Sequence, residues 1–147
     1  MSRIVGIDPG EVRIGLAISD EGQSIAFPRQ TIAAHGGVEE AAKEVHEALA
    51  DENVETLVVG LPLRLDGTEG ESARRARALG EALRRALDTD VVYWDERMTT
   101  VAAERSLREM GRWGSRRREV VDQSAATILL QGYLEAKKGG AWTDLSG

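Results

Sequence analysis

The 147 residues contain no cysteine, which removes disulfides, zinc thiolates and cysteine nucleophiles from the possible chemistry. No apolar run approaches the ~20 residues that cross a bilayer as a helix. The opening MSRIVGID lacks the apolar stretch of a secretory leader, so a cytoplasmic protein with no membrane partner is expected. Internal repeats and low-complexity segments are also missing. Histidine is scarce, and His35 and His46 stand apart in a loop and on a helix without a role for either.

What is present is ordinary for a globular chain: 41% hydrophobic and 30% charged residues. A chain of this length reads as one domain burying about two-thirds of its unfolded surface. That domain is placed at residues 1–138, with 139–147 a tail that frays. The net charge of −6 hides a split. Residues 1–73 carry −9, residues 74–118 carry +5 and residues 119–147 carry −2. An acidic average with a basic middle suggests a molecule with one basic side, although arginines on solvated helix faces would give the same numbers.

Period and punctuation give the elements. RIVGID at 3–8 and VRIGLAIS at 12–19 read as strands of a hairpin turned by Pro9 and Gly10. SIAFPRQTI at 24–32 supplies a third strand, which Pro28 confines to an edge or a bulge. Val38, Ala41, Ala42, Val45, Ala48 and Leu49 recur at helical spacing. VETLVVGL at 54–61 is continuous enough for a strand buried on both faces. A glycine-rich connection leads to a helix over 72–87, and DVVYWDE at 90–96 is the fifth strand. A helix near 100–110, a breaker-rich link at 111–118 and a last helix from about Val121 to Lys137 complete the chain. The order βββαβαβαα, with right-handed crossovers, is an α/β ribonuclease H-like arrangement. Its sheet is five-stranded and mixed, three leading antiparallel strands and two further parallel ones, with helices on both faces.

Ligands of such sheets gather at the carboxyl ends of the parallel strands. Asp8 closes the first strand, Asp95 and Glu96 close the fifth, and Asp122 stands in the first turns of the last helix. Side chains alternate along a strand, so only one of Asp95 and Glu96 can share a site with Asp8. Gly15, in the middle of the second strand, marks a close approach. Carboxylates without imidazole or thiolate suit Mg²⁺ or Mn²⁺ rather than zinc, and two such ions ~4 Å apart support phosphodiester hydrolysis. Each acid also has a plainer reading. Asp8 before Pro-Gly is good turn chemistry, Asp122 is an acid favoured near a helix start, and Glu96 has Arg97 and Arg105 as surface partners. Trp113 among Arg112, Arg116, Arg117 and Arg118 offers either a base-stacking patch or a ring buried under its own loop.

VGIDPGEVRIGLAISD, VVGLPLRLDGTEGESA, WDERMTTVAAERSL and VDQSAATILLQGYL together closely resemble the YqgF/RuvX family, in order from Val5 to Leu134. The resemblance implies a ribonuclease H-like nuclease, with Asp8, Glu96 and Asp122 as its metal-binding catalytic acids and Mg²⁺ or Mn²⁺ as cofactor. It implies a nucleic-acid substrate, either the 5′ side of the 16S ribosomal RNA precursor, which is favoured, or a four-way DNA junction. A symmetric junction would call for a homodimer. Glu11-Val12 stands where members often carry Thr-Lys, and LRLDGT where many have Asn before D-G-T; neither change removes a candidate ligand. Arg112, Arg116, Arg117 and Arg118 are expected to hold the nucleic-acid backbone. Two other classes stay open: nucleotide binding of the actin/sugar-kinase type, which needs a second domain, and a silent nucleic-acid-binding or ribosome-assembly module.

Overall fold

The computed structural model describes residues 2–34, 36–98 and 124–139. Strands β1 (Arg3–Pro9), β2 (Arg13–Ser19), β3 (Ala26–Ala33), β4 (Val54–Leu61) and β5 (Asp90–Asp95) form one sheet in the order β3-β2-β1-β4-β5. β2 is antiparallel to both β1 and β3, whereas β4 joins β1, and β5 joins β4, in parallel. Helices α1 (Gly37–Ala48) and α2 (Glu71–Leu87) lie on one face and α3 (Ala125–Gly139) on the other. This is the mixed five-stranded sheet, covered on both faces, that the order of elements implies.

Alternation along the strands sorts the side chains into two cores. Val5, Ile7, Leu16, Leu57, Val59, Leu61 and Tyr93 meet Ala41, Val45, Ala76 and Leu83 of α1 and α2. Ile4, Ala17, Val58, Val92 and Trp94 meet Ala126, Leu130, Tyr133 and Leu134 of α3. Tyr133 packs edge-on against Trp94, with centroids 5.6 Å apart and planes at 89°, the geometry that aromatic quadrupoles favour. Residues without side chains let α3 sit low on the sheet. A Cβ on Gly6 would stand 2.8 Å from that of Leu130, and one on Gly15 would stand 3.3 Å from that of Ala126. The close approach signalled by Gly15 is therefore that of a helix. Buried Gln131 ties α3 to the start of β3, accepting from the Ala26 N–H at 2.9 Å and donating to the Ser24 carbonyl at 3.0 Å.

Element ends differ from expectation for local reasons. The third strand starts at Ala26 because the Asp20 carboxylate accepts from the N–H groups of Ser24 (2.8 Å) and Ile25 (2.9 Å) and folds them into a turn. Pro28 falls where both alternatives meet, on edge strand β3 and at a register shift opposite the Gly15–Ala17 stretch. The fifth strand stops at Asp95, and Glu96–Met98 form a 3₁₀ turn instead of continuing it. Ser124 caps α3, its Oγ accepting from the Thr127 N–H at 3.3 Å, and the described helix begins at Ala125; Val121, where its start was expected, lies outside the described residues. It runs on through Gly139, the first residue assigned to the tail. The helix expected near 100–110, the link at 111–118 and residues 140–147 lie outside the described residues.

Candidate active site

Asp8 stands near the end of β1, opposite Gly15 of β2, on the side of the sheet that α3 covers. Glu96 follows β5. Strand β4 runs between β1 and β5, so the two acids belong to strands separated by about two interstrand spacings of ~4.8 Å. They meet because β4 carries Gly60 at the crossing point. The Glu96 side chain lies across that glycine, where a Cβ would overlap its Oε1 and come within 3.1 Å of its Cγ. From there the Glu96 carboxyl is hydrogen-bonded to the side chain of Asp8.

The electrostatics follow from this placement. Burial first, then the hydrogen bond to Asp8 and the charges of Asp8 and Asp95, push the Glu96 carboxyl up to about 7. A carboxyl in this position keeps its proton toward neutrality, because burial and the neighbouring charge both penalise its ionisation. A divalent cation would occupy the place of that proton and relieve the repulsion. The donors are all oxygens, so the residues fit Mg²⁺ or Mn²⁺. Asp122, the expected third ligand, lies outside the described residues, as do Arg112, Arg116, Arg117 and Arg118. Among the described residues no group of three or more acids, histidines or cysteines is placed to hold an ion.

Asp95 is turned to a different task. Burial works to raise its carboxyl, but hydrogen bonds from the Arg97 guanidinium and backbone N–H outweigh that and hold it below the ordinary carboxylate range. Arg97 Nη2 reaches Asp95 Oδ2 at 2.8 Å and Nε reaches both oxygens at 3.1 Å, a forked pair. Arg97 is thus the partner of Asp95, not of Glu96. Its remaining arm, Nη1, donates to the carbonyls of Arg64 and Leu65 at 3.4 Å each. Those carbonyls belong to the turn between β4 and α2, a small hairpin closed by a Leu63–Glu69 bridge. Sequence reading missed this brace; the D-E-R order was its visible signal.

Four of the five arginines on α2 are paired with acids in place. Arg75 pairs with Glu11 at 2.6 Å, Arg77 with Glu69 at 2.7 Å, Arg84 with Glu81 at 3.3 Å and Arg85 with Glu39 at 2.6 Å. Glu11, Glu39 and Glu69 come from the acidic first half, so much of the charge split along the chain closes up in space. A cavity of about 440 Å³ lies beside Arg75, between the starts of α1 and α2, over Ile14, Ala41, Ala76 and Leu79. Those residues belong to the face opposite Asp8 and Glu96.

Residues 2–136 match the family described as RuvX: Holliday junction resolvase. The chain belongs to the RuvX family. A curated relative from Acetivibrio thermocellus, named "Putative pre-16S rRNA nuclease", is 42% identical over 136 residues, which are 92% of this chain and 96% of that one. A protein of the same name from Chloroflexus aggregans is 43% identical over 135 residues, 92% and 94% of the two chains. Among solved structures, T. thermophilus RuvC in complex with a Holliday junction substrate aligns at a TM-score of 0.61. That match spans 99% of this chain and 100% of the other at 17% identity, a likeness of fold. RuvX proteins are nucleases, and this member is one of them. Membership decides against the actin-type nucleotide-binding alternative. Among the described residues no helix is long and apolar enough to cross a membrane.

Proposed function

We propose that this RuvX protein hydrolyses phosphodiester bonds in structured nucleic acid, with Mg²⁺ or Mn²⁺ held by Asp8, Glu96 and Asp122. The observation that carries the reading is the approach of Glu96 to Asp8 across Gly60 at the carboxyl edge of the parallel strands. Ions of this class, when bound, activate water and stabilise the leaving oxygen. The chain's own part is positional. Asp8 and Glu96 present converging negative oxygens, Gly60 keeps the path between them clear, and the Asp95–Arg97 pair fixes the turn that carries Glu96. Arg112, Arg116, Arg117 and Arg118 grip phosphates in the stretch leading to Asp122.

The names of the curated relatives favour the precursor of 16S ribosomal RNA as substrate, and we place the cut on its 5′ side, in the cytoplasm. The family description favours a second reading, resolution of four-way DNA junctions, under which two copies of the chain would act as a homodimer. One assay separates them: purified full-length protein with Mg²⁺ or Mn²⁺, given precursor RNA and junction DNA side by side. Asp8→Asn, Glu96→Gln and Asp122→Asn should each abolish cleavage while the melting temperature shows a folded protein. Cleavage of neither substrate, with binding of both, would leave a silent binding module as the right description.

A further inference from the structure

Leu65 is 99% exposed, the most exposed large apolar side chain among the described residues. A lone leucine on a surface calls for no explanation, but the support under this one does. The turn that carries it is closed by hydrogen bonds from Arg64 N–H to the Thr68 carbonyl (2.9 Å) and from Gly67 N–H to the Arg64 carbonyl (2.8 Å). Asp66 braces the tip, its Oδ1 accepting from the Thr68 N–H at 2.9 Å and the Thr68 hydroxyl at 2.6 Å. Gly67 supplies the left-handed conformation, φ +87°, that the reversal requires. Arg97, the residue after Glu96, holds the Arg64 and Leu65 carbonyls from the side. An apolar side chain is thereby presented to solvent on a hydrogen-bonded tip that Arg97 ties to the turn carrying Glu96.

We infer that Leu65 is a wedge that enters an opened base step of paired nucleic acid beside the bond to be cut. The inference rests on the proposed nuclease reading and deepens it by naming how paired substrate is recognised. Proteins that kink or open duplexes do so with leucine and similar apolar side chains, which partly unstack a step and cover the exposed base faces. Arg64, next in the chain, adds a cation on the same turn. Because the tip is already ordered, little freedom is lost when it engages. Arg97 then acts as a positioning residue, setting the wedge and the carboxylates in one register.

The test uses two probes, a four-way DNA junction and a hairpin RNA carrying a 5′ extension, each with 2-aminopurine placed in turn at steps around the cleavage point. Binding is followed with Ca²⁺ replacing Mg²⁺, so the fluorescence readout does not depend on turnover. The native protein should brighten one position, marking an unstacked base. Leu65→Ala should lose most of that signal on whichever probe is opened, and Leu65→Phe should keep it. With Mg²⁺, Leu65→Ala should lower kcat/KM on paired substrate about ten-fold relative to a single strand of the same sequence, as expected when burial of one leucine side chain is lost. An unchanged melting temperature is expected from so exposed a position. The wedge is overturned if no position brightens with the native protein, if Leu65→Ala keeps the signal, or if its main effect is loss of a dimer. Brightening that needs Leu65, without cleavage by the native protein, would sustain the wedge and remove the nuclease reading instead.

Discussion

Glu96 reaches Asp8 across the position where Gly60 lacks a side chain. The two acids come from strands that do not touch, and the strand between them is cleared at one residue. Gly60→Ala should therefore displace the end of Glu96, a flexible side chain, without unfolding the sheet. Cleavage should fall by about 100-fold, the scale of a ~1 Å misplacement of a reacting group, and Mn²⁺ binding should weaken. Full activity in a folded Gly60→Ala protein would show that the crossing has no functional weight.

The raised Glu96 carboxyl makes a signed prediction for the metal-free protein. Its folded value of about 7 lies above the ordinary 4.5, so between those values the native state holds a proton that the unfolded chain has released. Stability from this group is complete below pH ~4.5 and is lost as the pH rises through ~7. Melting curves in EDTA from pH 5 to 8 should show the native protein losing more stability than Glu96→Gln, which cannot titrate. Mn²⁺ affinity should move the other way, rising over the same interval, since the ion competes with the proton. Parallel pH profiles for the two proteins would count against the retained proton.

Asp95 and Glu96 are neighbours with separate duties. Asp95→Asn should leave a measurable nuclease, weakened through a looser Arg97, whereas Glu96→Gln should leave none. Arg97→Lys should not restore what Arg97→Ala loses, because an ammonium cannot fork onto Asp95 and still reach two carbonyls. A dead Asp95→Asn beside an active Glu96→Gln would reverse the assignment.

Replacing Arg116, Arg117 and Arg118 together by Ala should weaken binding of paired and single-stranded substrates alike. Each arginine that truly neutralises a phosphate adds ~1 to the slope of log affinity against log salt, so the triple variant should flatten it by up to about 3. Metal binding should persist. An unchanged slope would assign those arginines to a solvated loop and send the search for phosphate-binding groups to Arg64 and Arg74, since the pairs on Arg75, Arg77, Arg84 and Arg85 already occupy much of α2.

The sheet was legible because its signals are local: alternation, continuous apolar runs, and Pro28 at the edge. The element order also brought the ends of the first and fifth strands to one edge; alternation alone did not place Glu96, because β5 stops at Asp95 and Glu96 lies in a 3₁₀ turn. Gly60 was not legible. A glycine inside VVGL reads as one more small core residue until the strand order puts Glu96 over it. The Arg97 brace escaped for the same reason, since its partners at 64 and 65 are distant in sequence and are backbone carbonyls. Part of the basic middle is offset in space, because charge counted along a chain ignores Glu11 and Glu39, which fold back onto Arg75 and Arg85.

Among the described strands, Asp8 lies on the first to be made and Glu96 just beyond the last. A growing polypeptide emerging from the ribosome thus carries half of the pair from the outset but cannot complete it until the final strand has been released and docked against β4. Asp122, the proposed third ligand, comes later still. Under the proposed reading the site is assembled late: no cutting edge exists until the strand beyond β4 and the stretch carrying Asp122 have both been made.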